Sequence, residues 1–244
     1  MRASTESSAR PHAIWHATLQ GAREGIPLLG GYIPVSLSFG LVATQAGFTT
    51  FEAAAISLLI YAGASQFLFV GMIATGAPLW LVVALTLLIN ARHLVYGPNL
   101  AALLPRSRHW LWLMHGLTDQ VFALALTRLP ALDPARRFGW FLGCALMAWA
   151  VWVVGTVVGA VAGEAVTAYW PLLGEIMPFA LPALFLAMTA PRFVDLRWSL
   201  ALLATIIASL ALTLIGASNV AIPLGAACGA LCFYAVRFSA RRRA

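Results

Sequence analysis

No lysine occurs anywhere in the chain: its 15 basic residues are all arginine, set against 8 acidic ones. Charged residues make up only 9% of the sequence, where a soluble domain carries about 25%. With 61% hydrophobic residues and a mean hydropathy of +0.88, that scarcity excludes a soluble fold and implies a chain that crosses a membrane repeatedly. A net charge of +7 would suit nucleic acid, but the arginines lie between apolar runs and at the two ends. There they read as topology signals facing anionic lipid, and no nucleic-acid partner is expected. Cysteine is scarce too: Cys144, Cys228 and Cys232 all lie inside apolar runs. Cys228 and Cys232 share a helix face, yet two thiols without histidine or carboxylate neighbours make no metal site; helix packing is their expected role. No Walker loop, dinucleotide fingerprint, HExxH or GxSxG occurs. We therefore expect no cofactor and no metal. Any uphill movement would have to draw on an ion gradient or on the solute's own gradient.

The sequence predicts an all-α polytopic membrane protein with about eight hydrophobic segments, near 25–46, 52–75, 78–97, 110–129, 138–162, 171–190, 198–216 and 220–238. A polar N-terminal tail over 1–22, without the apolar core and cleavage site of a signal peptide, precedes one transmembrane domain over 23–238. A basic tail, 239–244, closes the chain. Eight spans put both termini on one side. Arg2, Arg10 and Arg23 at the front, with Arg237, Arg241, Arg242 and Arg243 at the back, place that side in the cytoplasm. Arg136 and Arg137, then Arg192 and Arg197, fall inside by the same alternation, and Glu164 falls outside. The loop "LLPRSRHW" breaks the pattern, because Arg106, Arg108 and His109 would be outside. Either 110–129 is re-entrant or the early spans are miscounted.

Several segments read as discontinuous. In "LLGGYIPVSLSFG", Gly30, Gly31 and Pro34 weaken the helix while Ser36 and Ser38 supply hydroxyls; "YAGASQF" interrupts the second segment; Pro178 and Pro182 interrupt the sixth. Non-helical backbone at membrane depth survives only where protein or a wet cavity satisfies it, and transporters bind substrate at such breaks. "LLGGYIP" at 28–34 aligns with "LLGEIMP" at 172–178, which would relate segments 1–3 and 6–8 as an inverted repeat. Chance alignment of abundant Leu, Gly and Pro explains the match equally well.

An ionisable residue in a membrane segment defaults to a functional role. Asp119 is the best case. His115, Thr118 and Asp119 stand at helical spacing on one face, so Asp119 and His115 are proton-coupling candidates; the structural alternative is an Asp119 paired with an arginine, Arg92 foremost. In "NARHLVYGPNL", Arg92 and His93 would ordinarily snorkel past a helix end, but the apolar stretch continues beyond them. Asn90 and His93 share one face, Arg92 and Tyr96 another. Tyr61, Ser65 and Gln66 surround Gly63, either as packing glue or as contacts for a substrate's amino or carboxylate group. Gly155, Gly159 and Gly163 form a close-packing face. Trp80, Trp110, Trp112, Trp140 and Trp198 read as interfacial anchors; Trp149 and Trp152 do not fit that belt and would face a cavity or a partner.

The blocks "GYIPVSLSFGL", "YAGASQF", "NARHLVYGPNL", "GLTDQVFALA", "WVVGTVVGA" and "LPALF" occur in this order over about residues 20–235, and together they resemble the AzlC family. The resemblance implies the large subunit of a branched-chain amino acid exporter. It would carry leucine, isoleucine, valine and often methionine out of the bacterial cytoplasm across the inner membrane, use the proton-motive force, and work with a small AzlD-type membrane subunit. It would not be an enzyme. Carried over by position, the motif residues are Tyr61, Gly63, Ser65, Gln66, Arg92, His93, Tyr96, Gly97, Thr118 and Asp119. Asn90 and Gln120 stand where some relatives carry an acid, which would leave Asp119 alone to couple a proton. With Tyr32, Pro34, Ser36 and Asn90 added, these residues outline the expected transport path, and Leu37, Phe39 and Phe67 an apolar wall for the aliphatic side chain. Two other classes stay open: a lipid-modifying intramembrane enzyme built on His93 or His115 with Asp119, and a non-transporting assembly subunit.

Overall fold

A computed structural model describes residues 11–105 and 114–243. Among the described residues there is no strand, and five helical runs are long and apolar enough to cross a membrane: Ile14–Gln45, Leu79–Ala101, Pro134–Tyr169, Leu196–Leu214 and Val220–Ser239. The three remaining expected segments, 52–75, 110–129 and 171–190, are broken into shorter pieces, and the Leu79–Ala101 run is itself interrupted at Ala91–Arg92. The chain divides into two units, one ending at Leu181 and one starting at Pro182.

The first unit is organised on α8, Pro134–Tyr169, whose first helical residue is a proline, as suits a position whose N–H has no intrahelical acceptor. Two helices lie along it. α1 (Pro11–Glu24) and α2 (Leu29–Gln45) run on through a 3₁₀ turn at Ile26–Leu28. This corrects the sequence reading of a tail over 1–22: from Pro11 onward it is helix, with Ala17 fully buried. It also corrects the expected weakening at Gly30, Gly31 and Pro34, since α2 passes through all three unbroken.

Glycine makes the close approach to α8 workable. Gly155, Gly159 and Gly163 face Ser36, Leu37 and Leu41 of α2, as the spacing predicts, and Gly139 and Gly143 extend the stripe to Ile14, Ala17 and Thr18 of α1. A Cβ at Gly143 or Gly159 would run into the backbone of Thr18 or Leu37. Backbones that close gain dispersion contacts where the surrounding lipid offers no hydrophobic drive.

The rest of the unit is short pieces: α3 (Thr50–Leu59), α4 (Gly63–Ala74), α5 (Leu79–Asn90), α6 (His93–Ala101), α7 (Asp119–Arg128) and α9 (Pro171–Ile176). Thr49 and Glu52 start α3 with a reciprocal capping box. Phe39, Ala43, Ala53 and Val70 form a core cluster in which Phe39 meets the Phe67 ring edge-on at 5.3 Å, so Phe39 is core rather than an open wall. After α9 the helix tightens to 3₁₀ at Met177–Phe179, and Ser38 donates to the Met177 carbonyl at 2.6 Å. Arg2, Arg10, Arg106, Arg108, His109, Trp110 and Trp112 lie outside the described residues. α10, Ala180–Thr189, runs across the unit boundary.

The second unit contains an antiparallel pair, α11 (Leu196–Leu214) and α12 (Ser218–Arg243), turned at Gly216 with φ +84°. Gly225 and Gly229 of α12 sit against Ser209 and Thr205 of α11, and Cys232 Sγ donates to the Leu200 carbonyl at 3.9 Å.

Candidate functional site

Three helix interruptions in the first unit carry its polar side chains: Ala91–Arg92 between α5 and α6, Gly116–Thr118 before α7, and Ile60–Ala62 between α3 and α4. Each interruption frees backbone groups that need partners.

At the first, Arg92 Nη1 donates to Asp119 Oδ2 at 2.5 Å and the Tyr96 hydroxyl donates to Asp119 Oδ1 at 2.5 Å. The two side chains of the ion pair are 21% and 14% exposed, so the charges are largely withdrawn from the surroundings. The pairing anticipated in the sequence is therefore present, with Tyr96 as a third member, held in place by stacking on Phe122 at 4.2 Å. Arg92 Nε, Asn90 Oδ1 and Thr86 Oγ1 are buried without a hydrogen-bond partner. His93 spans two breaks: Nδ1 lies 3.0 Å from the Asn90 carbonyl and Nε2 2.9 Å from the Leu117 carbonyl. A neutral imidazole has one N–H and can donate to only one of them; a doubly protonated ring donates to both.

At the second, Thr118 is extended and caps α7, its Oγ1 accepting from the Val121 N–H at 3.3 Å. Its hydroxyl is also hydrogen-bonded to that of Tyr32, which donates to Gln120 Oε1 at 3.2 Å. The turn at Gly116–Thr118 corrects the single helical face expected for His115, Thr118 and Asp119. His115 belongs to the preceding helix end, with Nε2 2.9 Å from the Leu58 carbonyl, and none of its described contacts is with Asp119.

At the third, Tyr61 adopts a left-handed backbone with φ +41°, an arrangement that persists only where its surroundings impose it. Gln66 splints the gap. Its Oε1 accepts from the Ala62 N–H at 3.2 Å and its Nε2 donates to Ser57 Oγ at 3.1 Å, while Ser57 is bonded to Thr156 of α8 at 2.7 Å. Ser65 donates to the Ala62 carbonyl at 2.8 Å. With both ends of the Gln66 amide engaged, the packing-glue reading fits Gln66 and Ser65 better than substrate contact. Trp152 of α8, 3% exposed, stands edge-on to Tyr32 at 5.7 Å and to Tyr61 at 6.2 Å. Tyr61 Oη and Trp152 Nε1 are both buried without a hydrogen-bond partner.

The structure thus gathers Tyr32, Tyr61, Arg92, His93, Tyr96, His115 and Asp119 into one interior network, with Gly63 directly under the Trp152 ring. Two expected path residues stand apart. Pro34 is exposed, and Ser36 is buried on Gly155, donating to its own helix at Ile33. Trp149 donates to the Leu58 carbonyl at 3.3 Å. Trp140 is not an interfacial anchor: it is fully buried and donates from Nε1 to Glu24 at 2.7 Å. The sequence reading passed over Glu24 altogether, because it stands beside Arg23 in the polar stretch before the first apolar segment. It forms an ion pair with Arg128 at 2.7 Å and also accepts from Gln20. α7 therefore carries an ion pair at each end, at its first residue and at its last.

The sequence matches the AzlC protein family over residues 27–166. It is 36% identical to the inner membrane protein YgaZ of Escherichia coli, over 87% of this chain and 88% of that one. An uncharacterized membrane protein of Archaeoglobus fulgidus is 32% identical, over 71% of this chain and 74% of its own. The Bacillus subtilis protein named branched-chain amino acid transport protein AzlC is 28% identical, over 72% and 67% respectively. No solved structure matches the chain. A family match across more than half the sequence, a long relative above 30% identity and a membrane-spanning all-α fold lead to one conclusion: the chain belongs to the AzlC family.

Proposed function

We propose that this protein is the large subunit of a secondary active exporter that moves leucine, isoleucine, valine and methionine across the bacterial inner membrane. It works with a small AzlD-type membrane subunit and is driven by protons, with both termini on the cytoplasmic side. Family membership and the name of the Bacillus subtilis relative support transport of branched-chain amino acids. The observation that carries the reading is the Arg92–Asp119–Tyr96 group, a largely buried charge pair placed where helices are interrupted. Buried charges at helix breaks are costly in a bilayer and mark substrate or ion paths. Asp119 is the proton-coupling residue. Its contacts with Arg92 and Tyr96 tie the carboxylate at the start of α7 to α6, so a change in its charge is linked to the fit of those two helices. His93 joins the same two breaks, its ring nitrogens lying against the Asn90 and Leu117 carbonyls.

A lipid-modifying enzyme fits less well. Both ring nitrogens of His93 face backbone carbonyls, His115 Nε2 faces another, and no nucleophile or metal-binding cluster stands beside either among the described residues. The test is efflux of radiolabelled leucine from cells carrying this gene with its small-subunit neighbour, against a deletion of both. Faster efflux in the carrying cells, competed by azaleucine, is expected; equal rates would end the transport reading.

A further inference from the structure

We infer that Tyr32 is a positioning residue for transport: its hydroxyl fixes the coupling acid, Asp119, to the helix pair α2 and α8. This rests on the transport reading above, in which Asp119 carries the proton.

Four consecutive residues at the start of α7 are held from two sides. α6 takes two of them: His93 Nε2 lies 2.9 Å from the Leu117 carbonyl, and Arg92 and Tyr96 both donate to the Asp119 carboxylate. α2 takes the other two through a single atom. The Tyr32 hydroxyl is hydrogen-bonded to the Thr118 hydroxyl and donates to Gln120 Oε1 at 3.2 Å. The two sets alternate along the chain, Leu117 and Asp119 against Thr118 and Gln120. Extended backbone turns successive side chains to opposite sides, and Thr118, with φ −118° and ψ 173°, has that conformation. Thr118 reaches α2 while Asp119 reaches α6.

The protons of the cluster follow from its geometry. The Val121 N–H donates to Thr118 Oγ1 at 3.3 Å. Tyr32 uses its one proton on Gln120, so the Thr118 hydroxyl donates to the Tyr32 oxygen. α7 thus occupies both the proton and an acceptor position of the Tyr32 hydroxyl, which favours positioning over contact with substrate. Tyr32 is also well anchored. It is buried, its ring stands edge-on to Trp152 of α8 at 5.7 Å, and it lies one helical turn before Ser36, which packs on Gly155. α6 is packed more lightly, with Leu94 and Val95 both exposed. The ion pair therefore joins an acid fixed to the α2–α8 core with a guanidinium carried by a peripheral helix.

The experiment uses inside-out membrane vesicles containing the full-length protein and its small subunit, in which export appears as uptake of radiolabelled leucine. Uptake driven by an imposed proton gradient is compared with leucine–leucine exchange at equal pH, both per copy of protein. Tyr32→Phe keeps the ring and deletes the hydroxyl. It is expected to slow gradient-driven uptake about tenfold, the size of effect that follows from leaving a buried hydroxyl unpaired. Exchange and the half-saturating leucine concentration should change by less than about twofold, because the hydroxyl touches no substrate. Thr118→Ser retains the hydroxyl and should keep the driven rate within about twofold, whereas Thr118→Val should fall about as far as Tyr32→Phe. The double variant Tyr32→Phe with Thr118→Val should be no slower than the slower single one.

Unchanged driven uptake with Tyr32→Phe would overturn the inference. So would a raised half-saturating concentration, which marks a substrate contact, or equal losses in both modes, which mark a packing defect. A double variant at the product of the two single losses would overturn it as well. If Tyr32→Phe does not reach the membrane, the Thr118 variants decide, and serine and valine behaving alike overturns it. The transport reading stands in all these cases. Vesicles of the unmodified protein that move no leucine in either mode would overturn the transport reading and this inference together.

Discussion

Replacing Asp119 with asparagine removes one charge while keeping the shape of the side chain and an oxygen for Tyr96. What remains is Arg92, four-fifths covered, facing a neutral amide. Breaking a buried ion pair by removing one partner costs about 3–5 kcal/mol, and the residual exposure of both side chains argues for the lower end, about 3 kcal/mol. For a chain of this size that corresponds to a fall in Tm of about 6–12 °C. Arg92→Gln should cost a similar amount, because it strands the carboxylate. The double variant removes both charges and should cost no more than either single one, giving a coupling energy of about 3 kcal/mol or more. Thermal unfolding of the four proteins in detergent measures the cycle, and leucine efflux from the same four cell lines measures function. Single-variant costs that add to within about 0.5 kcal/mol would show that the 2.5 Å contact carries no energy. A full rate of efflux with Asp119→Asn would refute its part in coupling.

Two further substitutions separate packing from chemistry. Gly143→Ala drives a methyl group into the Thr18 backbone and should destabilise by about 1–3 kcal/mol through overpacking; Gly30→Ala, which meets nothing within 4 Å, should stay within about 0.5 kcal/mol in the same thermal assay. Gln66→Leu leaves the Ala62 N–H without its acceptor and removes a donor from Ser57, which keeps Thr156, and should cost about 1–3 kcal/mol, with leucine affinity in the folded fraction preserved; an unchanged Tm would contradict the splint.

Hydropathy alone located the apolar segments, and the polar residues inside them marked the pairing of Arg92 with Asp119. Both signals are strong because lipid penalises charge and rewards apolar length. The packed helix over Pro11–Glu24 was illegible for the opposite reason. α1 is held by Ala17, Thr18 and Gly21 against Gly139, Gly143 and the Trp140 backbone, and contact between small residues leaves no hydrophobic signature. Helical spacing misplaced His115 because Gly116–Thr118 ends one helix and caps the next, which a period of 3.6 residues cannot foresee. Pro34 pointed to a break in α2 that did not occur. The interruption expected at "YAGASQF" does occur, at Ile60–Ala62, where Tyr61 takes a positive φ that its residue type seldom adopts. Trp140 looked like its interfacial neighbours because an indole at a segment edge has the same sequence signature whether it meets headgroups or a buried Glu24.

At 36 residues, α8 is about 54 Å long, whereas a bilayer measures about 30 Å across its hydrocarbon and 40–45 Å with headgroups. Even with appreciable tilt, its ends reach past the lipid: Arg136 and Arg137 at one end, and at the other Tyr169 and Trp170, 85% and 67% exposed. Hydrophobic mismatch is ordinarily absorbed by tilting, bending or thinning. A helix with this much overhang can take up a thicker or thinner membrane by shifting the level at which lipid meets its surface. The glycine contacts with α1 and α2 stay in register while that level moves, so changes in membrane thickness need not reach the interior polar groups as strain.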